Sequence, residues 1–360
     1  MMEEIQTAVA ALWRLELKKA VGGSGVNSVE IIVVDLKTNA GLTGRGFSYI
    51  LGSTGHTATI AARELIANFV IKKPLPHPES LAREIRQSFN RTGRGPNSIA
   101  QAAVDTAIWD LYAKSLNCSV GIAMGGKVRE IPVYGSGGFN TIQSPEEAAE
   151  QARSYLEQGV KAVKPRVAGN RKDEKVIEAV SYTIEDRADL MLDANEKCDQ
   201  TSAIRLLEIA RSHNALFVEE PLPAQNLPGY RQISARTSCA IALGEHLQGV
   251  TEAYPFMADG ICNIIQPDLA MMGGLTECLR IARYAEILGI SVAPHFLPHV
   301  FIHLAAAAPN VTWLEDFPLL EPLFGNPQAF NSNGMLKLNT LPGLGLKWDE
   351  DAEKQYKVDF

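Results

Sequence analysis

From residue 131 onward the chain repeats one pattern eight times, a short apolar run followed by a helical stretch. The runs are Ile131 to Tyr134, Val160 to Lys164, Leu190 to Asp193, Leu216 to Glu219, Ile241 to Glu245, Cys262 to Asp268, Ser291 to His295 and Val311 to Glu315. Runs this short and apolar suit parallel strands buried on both faces. The helix signals between them are physical. Ser144-Pro145-Glu146-Glu147 offers an N-cap, a proline at the first helical position and a capping-box glutamate, and Gly159 stands where that helix should stop. Leu275, Cys278, Leu279 and Ala282 form an apolar stripe after Gly273-Gly274. The helices after Glu219 and Glu245 look short or irregular. Eight β/α units still favour a closed α/β barrel over a doubly wound sheet.

Residues 1–128 read differently, as an α+β unit. Strand-like runs at Ala8 to Leu17, Val29 to Lys37 and Leu42 to Ser48 precede helical patterns near 56–71, 78–90 and 97–116. Val21-Gly22-Gly23-Ser24-Gly25 and Leu51-Gly52-Ser53-Thr54-Gly55 interrupt this unit as flexible loops, which taken alone read as plain hairpin connections. The barrel is expected over 129–318. The Pro-, Gly- and Asn-rich segment 319–360 carries no further unit and is expected to pack back on the N-terminal one.

The formal net charge of -7 and the lack of a basic run argue against a nucleic-acid binder. They leave room for an anionic substrate, because one metal ion reverses a local field. The five cysteines are scattered and lack CxxC spacing, which reads as a reduced, cytoplasmic protein. The acidic start at Met1-Met2-Glu3-Glu4 lacks a signal-peptide pattern, and no apolar run is long enough to span a membrane.

Each run from the second onward ends in a polar residue: Lys164, Asp193, Glu219, Glu245, Asp268, His295 and Glu315. Asp193, Glu219 and Glu245 are 26 residues apart in each step (219 − 193 and 245 − 219), about one β/α unit. The C-terminal ends of barrel strands converge on one mouth, so these acids are expected to meet there. Converging carboxylates repel unless a cation joins them, and oxygen-only ligands select a hard ion such as Mg2+. Taken singly, each acid reads equally well as a helix N-cap or surface acid. Asp268 beside His295 would fix the imidazole tautomer and raise its basicity, where a lone histidine would pass for a hydrogen-bonded core residue. Lys164 and Arg166 fall on one face by alternation and would meet a substrate carboxylate, although both also suit a solvated strand end. A guanidinium stays protonated and makes a poor base.

Together these fragments resemble the enolase superfamily, and within it the mandelate racemase subgroup. The resemblance covers essentially the whole chain. It is carried by Ala103-Val104-Asp105-Thr106-Ala107-Ile108-Trp109-Asp110-Leu111 with Lys114, Leu192-Asp193-Ala194-Asn195, Val218-Glu219-Glu220-Pro221 and Leu243-Gly244-Glu245. Pro267-Asp268 with Gly273-Gly274, Pro294-His295-Phe296 and Trp313-Leu314-Glu315 complete it. It implies a modified TIM (β/α) barrel under an N-terminal α+β capping domain, one Mg2+ on Asp193, Glu219 and Glu245, and His295 with Asp268 as the acid/base dyad. It implies that Asn195 contacts the substrate and that a protonated Glu315 polarises the substrate carboxylate. The two glycine-rich loops would form a lid, with specificity residues near Val21 to Asn27 and Tyr49 to Gly55. It also suggests a homo-oligomer.

One position departs from the racemase pattern. The second lysine of its Lys-x-Lys triplet is the opposite-face base, and here that position is Arg166. Racemisation needs a base on each face, whereas elimination of a β-hydroxyl needs one. The expected reaction is therefore Mg2+-dependent removal of the proton next to a carboxylate, leading to dehydration of an acid sugar to a 2-keto-3-deoxy acid. A racemase, epimerase or lactonising isomerase is the alternative, with Lys164 standing in for the second base. A non-catalytic, metal-stabilised binding protein would not need the dyad.

Overall fold

A computed structural model describes residues 3–21, 25–325 and 330–360. Gly22, Gly23 and Ser24 of the first expected lid loop lie outside the described residues. The chain opens with an antiparallel meander of β1 (Ile5–Val21), β2 (Val26–Thr38) and β3 (Thr43–Leu51). The strands run beyond the apolar stretches because ladder pairing continues through polar residues, as at Glu16 opposite Ser28. Alternation along β2 sends its two faces to different cores. Ile32, Val34 and Leu36 pack with the N-terminal helices, while Ile31 and Val33 join the core shared with the barrel. Helices α1 (Gly55–Phe69), α2 (Pro78–Thr92) and α3 (Pro96–Ser115) follow. α3 is buried without a break from Gln101 to Leu111, so it has no solvent-facing side over that stretch. Gly46 permits its contact with β3, since a Cβ there would lie 2.0 Å from the Ala107 nitrogen.

A short α4 (Val120–Ala123) leads into the cylinder. Its staves are β4 (Glu130–Gly135), β5 (Ala162–Val163), the broken pair β6 (Asp189–Leu190) and β7 (Leu192–Asp193), β8 (Val218–Glu219), β9 (Ile241–Leu243), β10 (Ile264–Ile265), β11 (Ser291–Val292) and β12 (Leu314–Asp316). These staves pair in parallel, β12 returns beside β4, and a Val292–Val311 bridge spans the remaining seam. The eight apolar runs thus supply eight stave positions in sequence order. Around them lie α5 (Pro145–Glu157), α6 (Asp173–Ile184), α7 (Gln200–Ser212), α8 (Leu227–Ser234), α9 (Val250–Ala258), α10 (Leu269–Met272), α11 (Leu275–Ile287) and α12 (Pro298–Ala307). Both halves of the Ser144–Glu147 capping box form. α8 and α9, after Glu219 and Glu245, are only 8 and 9 residues long, and Pro255 interrupts α9.

After the barrel, β13 (Met335–Lys337) pairs with β4, and β14 (Lys357–Val358), following α13 (Ala352–Tyr356), pairs with β1. Trp348 from the same segment packs edge-on against Trp13 and Phe47. The N-terminal signature acts as an adhesive between layers. Asp105 accepts hydrogen bonds from the Thr276 N–H (3.0 Å) and hydroxyl (2.5 Å), and Trp109 donates to that hydroxyl at 2.9 Å. Gly274 is required at this junction, because its φ is +108° and a Cβ would fall 2.5 Å from Asp105 Oδ2. Asp110 accepts the N–H groups of Arg45 and Leu344 and the ammonium of Lys114. Among the described residues no helix is long and apolar enough to cross a membrane. All five cysteines are free thiols.

Candidate active site

The predicted residues at the stave ends gather under the β1–β3 sheet, around a cavity of about 440 Å³. Arg166, Asn195, Glu245, Asp268 and His295 line it from the barrel, and Val26, Tyr49, Ile50 and Leu51 line it from the sheet. Asp193, Glu219, Lys164 and Glu315 form a sealed layer, each 1% exposed or less.

Lys164 links that layer. Its Nζ lies 2.5 Å from Glu219 Oε2, 2.9 Å from Glu315 Oε1 and 4.0 Å from Asp193 Oδ2. Arg166 reaches Asp193 Oδ2 at 2.5 Å and stands over the ring of Phe317. Burial works against both cations, but the surrounding carboxylates outweigh it and hold both above their ordinary ranges. Alternation put these two side chains on one face correctly. The structure adds that neither is solvated and that each is committed to an ion pair.

The acids remain under-neutralised. Burial pushes Glu219 well above the ordinary carboxylate range, Lys164 pulls it back, and Asp193, Glu245 and Glu315 push it further up. Gln266 donates to Glu219 Oε2 at 2.7 Å, whereas Glu219 Oε1 is buried without a hydrogen-bond partner. An orphaned, buried carboxylate oxygen beside other carboxylates fits an all-oxygen site for a hard divalent cation.

Glu245 divides its neighbours. Its Oε2 is 3.4 Å from His295 Nε2, and its Oε1 is 3.7 Å from His246 Nδ1. His295 Nδ1 meets Asp268 Oδ2 at 2.9 Å, so the expected pairing is present. Burial disfavours the charged ring, but Glu245, Asp268 and Glu315 together push His295 up to about 10. Asp268 is held in turn, with Oδ1 accepting the N–H groups of Ala270 and Met271 at 2.8 Å. His299 and His303 lie on α12, away from this cavity, as their spacing from His295 suggested.

Glu315 lies between cations and hydrogen-bond donors. A protonated Glu315 was expected to polarise the substrate carboxylate. Burial alone would favour that form, but Lys164, His295 and a hydrogen bond from Ser136 hold the group down to about 2. It accepts from Ser136 Oγ at 2.6 Å and from the Phe296 N–H at 2.8 Å. Asn195 sits at the cavity with φ +45°, its N–H on Asp193 Oδ1 at 2.8 Å.

Sequence reasoning missed three contributors. Tyr49, from β3, donates its hydroxyl to Asp268 Oδ2. Its position in the second loop's margin hinted at a lining role, but not at this contact. His246 pairs with buried Glu220 at 2.7 Å and lines the cavity, and burial is outweighed by Glu220, Glu245 and Glu196 so that His246 is pushed up to about 10. The adjacency of Glu219 and Glu220 to like neighbours on the next stave, Glu245 and His246, was the available signal. Gln266, two residues before Asp268, faces the same interior by alternation.

Comparison with known proteins agrees with this architecture. Residues 5–125 match the family described as Mandelate racemase / muconate lactonizing enzyme, N-terminal domain, and residues 147–352 match Enolase C-terminal domain-like. The chain belongs to the mandelate racemase/muconate lactonizing enzyme group of the enolase superfamily. It is 29% identical to the L-talarate/galactarate dehydratase of Salmonella typhimurium strain LT2, over 91% of this chain and 83% of that protein. It is 28% identical to a D-galactarolactone cycloisomerase of Agrobacterium fabrum, over 74% and 75% of the two chains. Among solved structures, L-talarate dehydratase from Polaromonas sp. JS666, complexed with Mg and L-glucarate, superposes with a TM-score of 0.92 at 28% identity. That superposition covers 99% of this chain and 98% of the other. The fold class read from the sequence, a barrel with a capping domain, stands.

Proposed function

We propose that this enzyme dehydrates an acid sugar to a 2-keto-3-deoxy acid, with Asp193, Glu219 and Glu245 holding Mg2+. The observation that carries this reading is the asymmetry of the site. An imidazole on a buried carboxylate faces the cavity from one side, while the two cations opposite are tied up in ion pairs. When bound, Mg2+ supplies positive charge to the substrate carboxylate as the neighbouring carbon loses its proton.

The residues do the rest. Nε2 of His295 takes the α-proton from the neutral ring, a form that a cation on Glu245 would favour by offsetting the carboxylate that otherwise holds the ring protonated, and Asp268 keeps that ring in the tautomer that leaves Nε2 free. The electron pair of the broken C–H bond forms a double bond as the β-carbon releases its hydroxyl. The imidazolium returns the proton to that hydroxyl, which departs as water. The enol left behind tautomerises to the keto acid. Glu219 and Glu315 hold Lys164 Nζ as an ammonium, which has no lone pair for a second proton abstraction. Arg166 and Asn195, at the cavity wall, are assigned to substrate binding.

The likeness to a cycloisomerase supports a second reading, isomerisation through the same α-proton abstraction. A Mg2+-dependent screen of acid-sugar diastereomers separates the two. Keto-acid formation supports the dehydratase. Solvent deuterium entering the α-position with no keto acid formed would replace it with isomerisation.

The division at 128/129 falls between the two matched families, whereas the second match runs on past 318, so a separate segment 319–360 rests only on the return of β14 to β1. Four of the five free thiols are buried, which suits a reducing cytoplasmic setting. Exposed Ile142, Tyr182 and Ile287 offer apolar surface for a homo-oligomer.

A further inference from the structure

We propose that Tyr49 is a positioning residue for proton transfer, its hydroxyl fixing Asp268 from the N-terminal sheet so that His295 meets the substrate in one orientation. This rests on the reading of His295 and Asp268 as the reacting pair.

Tyr49 lies on β3, facing the barrel as Phe47 does, and is 4% exposed. Its hydroxyl donates to the same Asp268 oxygen that His295 uses, and sits 3.5 Å from His295 Nδ1. Asp268 therefore has every acceptor direction filled: two backbone N–H groups on Oδ1, and a phenol and an imidazole on Oδ2. Only the imidazole changes state during the reaction. The other three donors fix the carboxylate plane, and the plane fixes the ring. Burial pushes the phenol well above its ordinary range, so it stays a donor. The Tyr49 ring also stands edge-on to Phe296, centroids 5.0 Å apart at 85°, and Phe296 directly follows His295.

One consequence is chemical. A donor on Oδ2 withdraws charge from the oxygen that supports the imidazolium. Phenylalanine at position 49 would keep the ring contact and remove only that donor. A purely packing role would leave His295 unaffected.

The test is the NMR signal of the His295 Nδ1–H in the Mg2+-loaded protein at one fixed pH, with no substrate needed. In Tyr49→Phe the signal should move downfield, because Asp268 Oδ2 loses a competing donor and accepts more strongly from the ring. Site-specific 3-fluorotyrosine at position 49, a stronger donor of nearly the same shape, should move it upfield and covers the case in which Tyr49→Phe does not fold. A signal at the position of the unsubstituted protein in either variant would overturn the assignment. Failure of the underlying dyad would show separately, as α-proton exchange that survives His295→Asn.

Discussion

Nζ of Lys164 lies 2.5 Å from Oε2 of Glu219, and both side chains are sealed from solvent. A buried pair broken on one side leaves an uncompensated charge. Lys164→Met should therefore destabilise the metal-free protein by about 3–5 kcal/mol. Added Mg2+ should recover part of that loss, since the carboxylates regain a cation. Urea denaturation with and without Mg2+ checks both statements. An unchanged midpoint without metal would contradict the electrostatic role of Lys164.

Glu219 presents one oxygen to Lys164 and Gln266 and leaves the other unpartnered. Glu219→Gln removes a charge from the proposed metal site while keeping its size. Calorimetry should show Mg2+ affinity falling at least about tenfold. Equal affinity in the two proteins would remove Glu219 from the ligand set.

His295→Asn keeps a side chain that can still hydrogen-bond to Asp268 but cannot take a proton at neutral pH. Exchange of the substrate α-proton with solvent deuterium should disappear from the face that His295 serves. Exchange persisting there would reassign the base.

His303 gives a pH prediction away from the metal. Its Nδ1 accepts the Gly121 N–H at 3.0 Å, and Nε2–H donates to the Leu344 carbonyl at 2.9 Å, a fully paired neutral ring. Burial outweighs the Leu344 contact and lowers the ring to about 4 from the ordinary 6.5. Between those values the unfolded chain binds the proton and the native one does not. Stability from this group is thus complete above about pH 6.5 and is lost as pH falls toward 4, by roughly 3 kcal/mol in all. His303→Gln should flatten that part of a stability–pH curve. A slope identical to that of the unsubstituted protein would show that another group is responsible.

The parts legible in the sequence are those set by local periodicity. Apolar runs mark the staves because parallel strands bury both faces, and the polar residue closing each run marks the mouth. What escaped needs distance in sequence. Tyr49 and Asp268 are 219 positions apart, and nothing local to β3 records that its alternation aims a phenol at a carboxylate on the far layer. The contact between Glu315 and Lys164 escaped for a similar reason, since the two come from different staves. Asp105 and Asp110 were recognised by their pattern, but their work of holding Thr276 and Leu344 appears only in three dimensions.

The Asp105–Thr276 contact also limits how a molecule can enter. Hinging the upper layer away from the barrel would tear a buried carboxylate from two donors and strip Gly274 of its fitted neighbour. Such a clamshell motion would carry a penalty at every turnover. Traffic through the cavity would therefore fall to local rearrangement at its rim, where Val26 and Leu51 line it, instead of to the swing of an entire lobe.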